Sequence, residues 1–194
     1  ATSLRLWNIE WSFSNDGVDE GIMLMRARMF SEGFDLYSEI PCDQAPLAVL
    51  LGAALDGDVL ASRLMSAWLS VAAIAACMEA AKRSRGQAAM LATGLLLAVD
   101  FAFLRESRLF SLDSMSAYFL AFSLVPLLAY ARGGSRPMLI LAGLLLGLSA
   151  ASKLYGAIAV VGVLAFMIAE IVALRRGGSP VSKKAVAILV LISS

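Results

Sequence analysis

Residues 59–80 read VLASRLMSAWLSVAAIAACMEA, and only Arg63 and Glu79 in that run are charged. A bilayer is crossed by about 20 consecutive, predominantly apolar residues. This run is that long, and Lys82, Arg83 and Arg85 follow it at once. The pattern repeats downstream. Apolar runs at residues 87–104, 114–131, 137–152 and 154–174 are divided by short charged links, and one more starts near Ala185. The reading is an all-α fold: a polytopic transmembrane helical bundle in which residues 59–194 supply about five complete spans and one truncated. Pro126 predicts a kink in the third. Gly143 and Gly147, extended by Ala151, have the small-xxx-small spacing that lets helices approach closely, and packing within one subunit is expected from it.

Composition agrees. The 194 residues are 60% hydrophobic and 16% charged, against about 45–50% apolar in an ordinary soluble domain. A net charge of +1 leaves no basic surface for nucleic acid. The absence of histidine removes the commonest general base near neutral pH and the commonest zinc ligand. Cys42 and Cys77 have no zinc spacing and make no disulfide framework. The chain begins at Ala1 and ends in an apolar run, and is read as a piece of a longer protein.

Upstream, residues 1–58 are mixed and polar, and are expected to form an extracytoplasmic loop with two amphipathic juxtamembrane helices. Trp7, Trp11 and Phe13 suit a membrane interface or a loop tethered by its aromatics. Asn15-Asp16-Gly17 signals a turn. A helix over 20–32 would share Ile22, Met25, Met29 and Phe30 on one face and stop at Gly33. A second, over 46–55, would carry Pro46 in its first turn and break at Asp56-Gly57-Asp58. Both are too short to span, so they should lie along the surface.

Alternating the spans sorts the charges into two sets. The links at 82–85, 132–136 and 175–184 hold nine basic residues, with only Glu79 and Glu170 near them. The opposite set holds seven basic and thirteen acidic residues. Short basic loops near span ends lie on the cytoplasmic side. Residues 1–58, the link at 105–113 and Lys153 therefore belong outside, or in the lumen of a eukaryotic compartment. Cys42 and Cys77 then fall on opposite sides, too far apart to bond.

Several ionisable groups converge on the acidic side. Asp19 and Glu20 open the first short helix, where the helix N-terminus favours the anion; an ionised Asp can act as a base or a metal ligand. Asp43 precedes the second short helix. Arg105, Glu106, Arg108 and Asp113 lie between two spans, where arginines suit a phosphate head group. Lys153 stands alone between two more. Asp100 lies near the outer end of a span, where an intramembrane acid needs a partner; Arg63 or a water-filled cavity is expected to supply it. Each also has an ordinary structural reading: first-turn acids, interfacial anchors, and a snorkelling lysine.

The order of these residues resembles the GT-C glycosyltransferases, in particular the branch of protein O-mannosyltransferases and the aminoarabinose transferase of lipid A. The matching features are Asp19-Glu20 and the helix ending at Gly33; Tyr37, Asp43 and Pro46-Leu47; Gly57 and Arg63-Leu64; Arg108 with Asp113 five residues on; and Gly143, Gly147 and Ser152-Lys153. Where the lipid A enzymes often read Glu-Lys-Pro-Pro-Leu, this chain reads Asp43-Gln44-Ala45-Pro46-Leu47. The resemblance implies a membrane enzyme that moves a sugar, with inversion, from a polyprenyl-phosphate donor to a protein, lipid or glycan acceptor outside the cytoplasm. It implies Asp19 as general base, with Glu20 and Asp113 in the catalytic group. Tyr37, Asp43, Arg105, Arg108 and Lys153 would bind substrates, with Arg108 and Lys153 on the carrier phosphate. It leaves room for a divalent metal (Mg or Mn) held by Asp19, Asp43 and Asp113. The membrane would be the plasma membrane of a prokaryote, or that of the endoplasmic reticulum in a eukaryote. An oligosaccharyltransferase catalytic subunit shares this layout. A transporter would carry ionisable groups at mid-membrane and broken helices, and a non-catalytic membrane subunit would have replaceable acids.

Overall fold

The computed structural model describes residues 1–11, 17–133, 135–154, 156–158, 161–162 and 165, and the described residues form eight helices and no strand. They are α1 (Thr2–Leu6), α2 (Gly17–Ser31), α3 (Leu47–Ala53), α4 (Val59–Arg85), α5 (Gln87–Val99), α6 (Phe101–Glu106), α7 (Leu112–Ala131) and α8 (Arg136–Ser152). The helical membrane bundle expected from the apolar runs is present. Helices α4 and α7 are long and apolar enough to cross a membrane, and α5 and α8 are shorter apolar helices. At about 1.5 Å per residue, the 27 residues of α4 reach about 40 Å. The turn at Asn15-Asp16 and the spans expected beyond residue 165 lie outside the described residues.

Two short helices ride on one end of this bundle. Helix α2 ends at Gly33, whose φ of 99° permits the closing bonds Phe34 N–H to Met29 O and Gly33 N–H to Phe30 O, a Schellman stop. Pro46 opens α3 as its N-cap residue. After α3 the chain turns through Asp56 and Gly57, and the Asp58 carboxylate caps α4 by accepting the Ala61 N–H at 2.7 Å. Gly57 has φ 66°, and a Cβ there would stand 2.7 Å from the Leu24 carbonyl oxygen. Only glycine lets the turn lie so close to α2.

The buried face of α2 is not the expected one. Met23, Leu24 and Ala27 go inward against Ala48 and Val49 of α3, while Ile22 and Met25 are exposed. The helix is apolar on two sides, and the side that meets α3 wins. Phe110 is fully buried where α2, α3 and α7 meet.

The second expected span is broken. Residues 87–104 form α5 and α6 with Asp100 between them, at φ −57° and ψ 122°. The Asp100 carboxylate accepts the Phe103 N–H at 2.7 Å and starts a new helix. Asp is among the strongest N-cap residues, so the break follows from local chemistry. Arg63, one of the two partners the sequence offers Asp100, pairs instead with Glu20.

Helices α7 and α8 pack antiparallel. Their contact includes Ser116 and Ser149, whose hydroxyls are 3.0 Å apart, with Ser149 also donating to the Ser116 carbonyl at 2.8 Å. Pro126 is buried within α7. The inward face of α8 is Ala142, Leu146 and Ser149. Gly143 and Gly147 have nothing within 4 Å of where a Cβ would stand, so among the described residues the expected glycine packing is absent.

Candidate active site

The first turn of α2 carries Asp19 and Glu20 side by side, and the structure sends them in opposite directions. Glu20 is 4% exposed. Arg63 donates Nε to both its oxygens at 3.0 and 3.1 Å and Nη2 to Oε2 at 2.6 Å. Phe110 donates its backbone N–H to Oε1 at 2.9 Å. The second guanidinium nitrogen, Nη1, reaches the Ile9 and Glu10 carbonyls at 2.9 and 2.8 Å. A buried carboxylate is tolerable only when paired and hydrogen-bonded, and both conditions hold. Asp19 is exposed, and among the described residues it has no ion-pair partner.

Arg108 sits two residues before Phe110. It is nearly buried and donates Nη2 to the Asn8 carbonyl at 2.6 Å. Burial, and then the neighbouring Arg63 guanidinium, push Arg108 below its ordinary value. The N-terminal segment at residues 8–10 is thus held by two arginines from different parts of the chain. Asp113 lies three residues after Phe110, in the first turn of α7. Lys153, the residue after α8, donates Nζ to both Asp113 oxygens at 2.6 and 2.7 Å. Of the two sequence readings for Lys153, meeting an anion is the one found.

The remaining predicted residues are placed elsewhere. Asp43 is exposed, 3.5 Å from Arg26. Arg26 is seven residues, or about 10 Å of helix, beyond Asp19. The backbone N–H of Asp43 itself, then the Gln44 amide and Arg26, hold its carboxyl below the usual carboxylate range. Tyr37 is exposed, adopts φ 75° and donates its hydroxyl to the Gln44 carbonyl at 3.0 Å, which closes the loop before α3. Arg105 pairs with its neighbour Glu106 at 2.9 Å.

Among the described residues, no three acidic or cysteine side chains come close enough to hold a metal ion. Asp19, Asp43 and Asp113 therefore do not form a three-ligand set. Both cysteines are free thiols. A depression of about 570 Å³, lined by Arg28, Ser31, Glu32, Asp56, Gly57, Asp58 and Val59, holds none of the predicted site residues.

Sequence reading missed two features. Arg63 lies in the first span, where an arginine requires an anion; Glu20 was in view as an acid, but 43 residues of separation hid the pairing. Arg5, in a short polar-looking segment, is fully buried against Ser70, and nothing local signals that.

A bundle of apolar helices, with the Glu20–Arg63 and Asp113–Lys153 pairs at one end and Glu79–Arg83 near the other end of α4, fits a helical integral membrane protein. Residues 53–193 match the family described as dolichyl-phosphate-mannose-protein mannosyltransferase, and the chain belongs to that family. Membership makes it a membrane glycosyltransferase of the mannosyltransferase type within the GT-C superfamily. No curated protein and no solved structure matches the chain. Arg105, Arg108, Asp113 and Lys153 fall within the matched residues, whereas Asp19, Glu20, Tyr37 and Asp43 precede them.

Proposed function

We propose that this protein transfers a sugar, mannose by family type, from a polyprenyl-phosphate carrier to an acceptor hydroxyl on the non-cytoplasmic side of the membrane, with Asp19 as general base. The observation that carries this reading is the division of the acidic pair. Glu20 is locked among Arg63 and the Phe110 N–H, and so holds the first turn of α2 in place. Asp19, one residue away, is left exposed with a carboxylate available to a substrate.

The chemistry balances without an enzyme-bound intermediate. The acceptor O–H passes its proton to Asp19 as its oxygen bonds to the anomeric carbon. The bond from that carbon to the phosphate oxygen breaks, and its electron pair leaves with the carrier phosphate. Base and leaving group on opposite faces of the sugar give inversion, by analogy with inverting glycosidases. Negative charge grows on the leaving phosphate, and preorganised cations stabilise it. Lys153, partly exposed beside Asp113 at one end of the bundle, fills that role, with Arg108, nearly buried on the Asn8 carbonyl, as the second cation. Basic links at 82–85 and 132–136 support placing this end outside. Protein, lipid and glycan acceptors all present a suitable hydroxyl, and the family's own description favours a protein.

The test is Asp19→Asn in the full-length protein, assayed with a polyprenyl-phosphate mannose donor. General-base catalysis is worth about 10²–10⁴-fold, and a loss of that size is expected with membrane insertion unchanged. Wild-type turnover in this variant would remove Asp19 from the mechanism.

A further inference from the structure

Arg5 is the one fully buried guanidinium among the described residues, at 0% exposure, and no carboxylate among them pairs with it. Its contacts reach three other helices. Nε donates to Ser70 Oγ of α4 at 2.9 Å. Nη2 donates to the Leu97 carbonyl of α5 at 3.3 Å. The guanidinium carbon lies 5.2 Å from the centroid of the Phe103 ring on α6. Nη1 closes onto the Ala1 carbonyl of its own helix at 3.3 Å.

Two of these contacts straddle the break at Asp100. The last carbonyls of a helix lack partners within it, and those of α5 find theirs at the break. Asp100 N–H satisfies Leu96; Arg5 satisfies Leu97. The negative end of the α5 dipole and the Phe103 face both attract a cation, which accounts for a buried charge without a counter-ion. On the far side of the break, α6 closes with Ser107 Oγ on the Leu104 carbonyl and Ser114 Oγ on that of Glu106. Arg108 and Phe110 follow directly.

We propose that Arg5 is a positioning residue that sets the angle between α5 and α6, and through it the placement of residues 107–110 against Glu20 and the N-terminal segment. The link to catalysis rests on the function proposed above; the link to the 107–110 segment does not. Arg5 touches no predicted substrate group. Its influence passes through the Leu97 carbonyl and the Phe103 ring to Arg108 and to the Phe110 N–H.

The experiment uses the full-length protein in lipid nanodiscs, with Arg5→Met, Arg5→Lys and Phe103→Leu. Amide hydrogen exchange is read at 107–111 and, for comparison, in the middle of α4 and α7. Arg5→Met should speed exchange at Phe110 on the order of tenfold while the spans keep their protection. Phe103→Leu should give a weaker form of the same pattern. Arg5→Lys keeps the charge and should recover part of it. In sugar transfer, kcat should fall more than KM, since a shift of about 1 Å in a positioned group costs on the order of 10²-fold. Unchanged exchange at 107–111 in Arg5→Met overturns the proposal, as does loss of protection spread evenly over α4 and α7 in both Arg5→Met and Phe103→Leu. Should Arg5→Met fail to insert, Phe103→Leu decides alone. Loosened 107–111 with undiminished transfer upholds the positioning of the segment and counts against the function proposed for the site.

Discussion

Two ion pairs stand at the same end of the bundle and behave as opposites. Glu20 and Arg63 are 4% and 7% exposed in their side chains, and each is surrounded by further donors or acceptors. Asp113 and Lys153 are as close, at 2.6 Å, yet 59% and 22% exposed. A buried pair is fixed, because either partner alone would be an uncompensated charge. An exposed pair contributes little and can be exchanged for another anion or cation. The first pair therefore fixes the fold, joining α2, α4 and the link before α7. The second is the one with a cation that a substrate phosphate could claim.

The sharpest way to break this contrast is to remove one buried partner. Glu20→Ala or Arg63→Met should each cost about 3–5 kcal/mol of stability, read as thermal unfolding of the full-length protein in detergent. Glu20→Leu combined with Arg63→Met should cost much less than the two singles added together, because no charge is then stranded. Strictly additive losses would mean that the pair is not a unit, and the architectural role given to Glu20 would fall with it.

Lys153→Met provides the opposing case. An exposed pair is worth about 0–1 kcal/mol, so unfolding should move little. On the role proposed for Lys153, donor KM should rise and turnover should fall. A stability loss as large as that of Arg63→Met, with donor kinetics unaltered, would reverse the assignments of the two pairs.

Which parts of this were legible in the sequence follows the range of the interactions. The apolar runs announced α4, α7 and α8 because membrane burial is written in consecutive residues. Gly33, Pro46 and Asp56-Gly57-Asp58 announced the ends of α2 and α3 because stops and caps are local chemistry. Asp100 could have been read the same way, as a capping residue, but its apolar neighbours outweighed it. The apolar face of α2 was misassigned because both of its sides are apolar, and only the position of α3 chooses between them. Arg63 could be seen to need an anion. That Glu20, and not Asp100, supplies it depends on two helices meeting across 43 residues. Gly143 and Gly147 satisfied a spacing rule, but a spacing names no partner, and the face that packs is Ala142, Leu146 and Ser149.

Ionic strength separates the pairs more gently. From about 0.1 M to 1 M salt the Debye length falls from roughly 10 Å to 3 Å. Charges in contact with solvent are screened by this, and charges enclosed by protein far less. A double-mutant cycle on Asp113 and Lys153 should shrink toward zero over that range, while the cycle on Glu20 and Arg63 keeps most of its value. Parallel decay of both would place Glu20 in contact with solvent.

The smallest expected effect belongs to Asp43, which extends the comparison to a third pair with a still more exposed acid. Its carboxyl is held below the usual range by its own backbone N–H, by Gln44 and by Arg26. A carboxyl depressed in the folded state contributes stability above its unfolded value, about 3.9, and loses it as pH falls through the lower folded value. Wild type and Asp43→Asn should therefore differ slightly and by a constant amount at neutral pH, and converge in acid. The group is open to water, so the difference should also fade in high salt. A gap that widened toward low pH would give the shift the opposite sign and place Asp43 among groups that repel its charge; that would part it from Arg26 and loosen the loop between Tyr37 and α3.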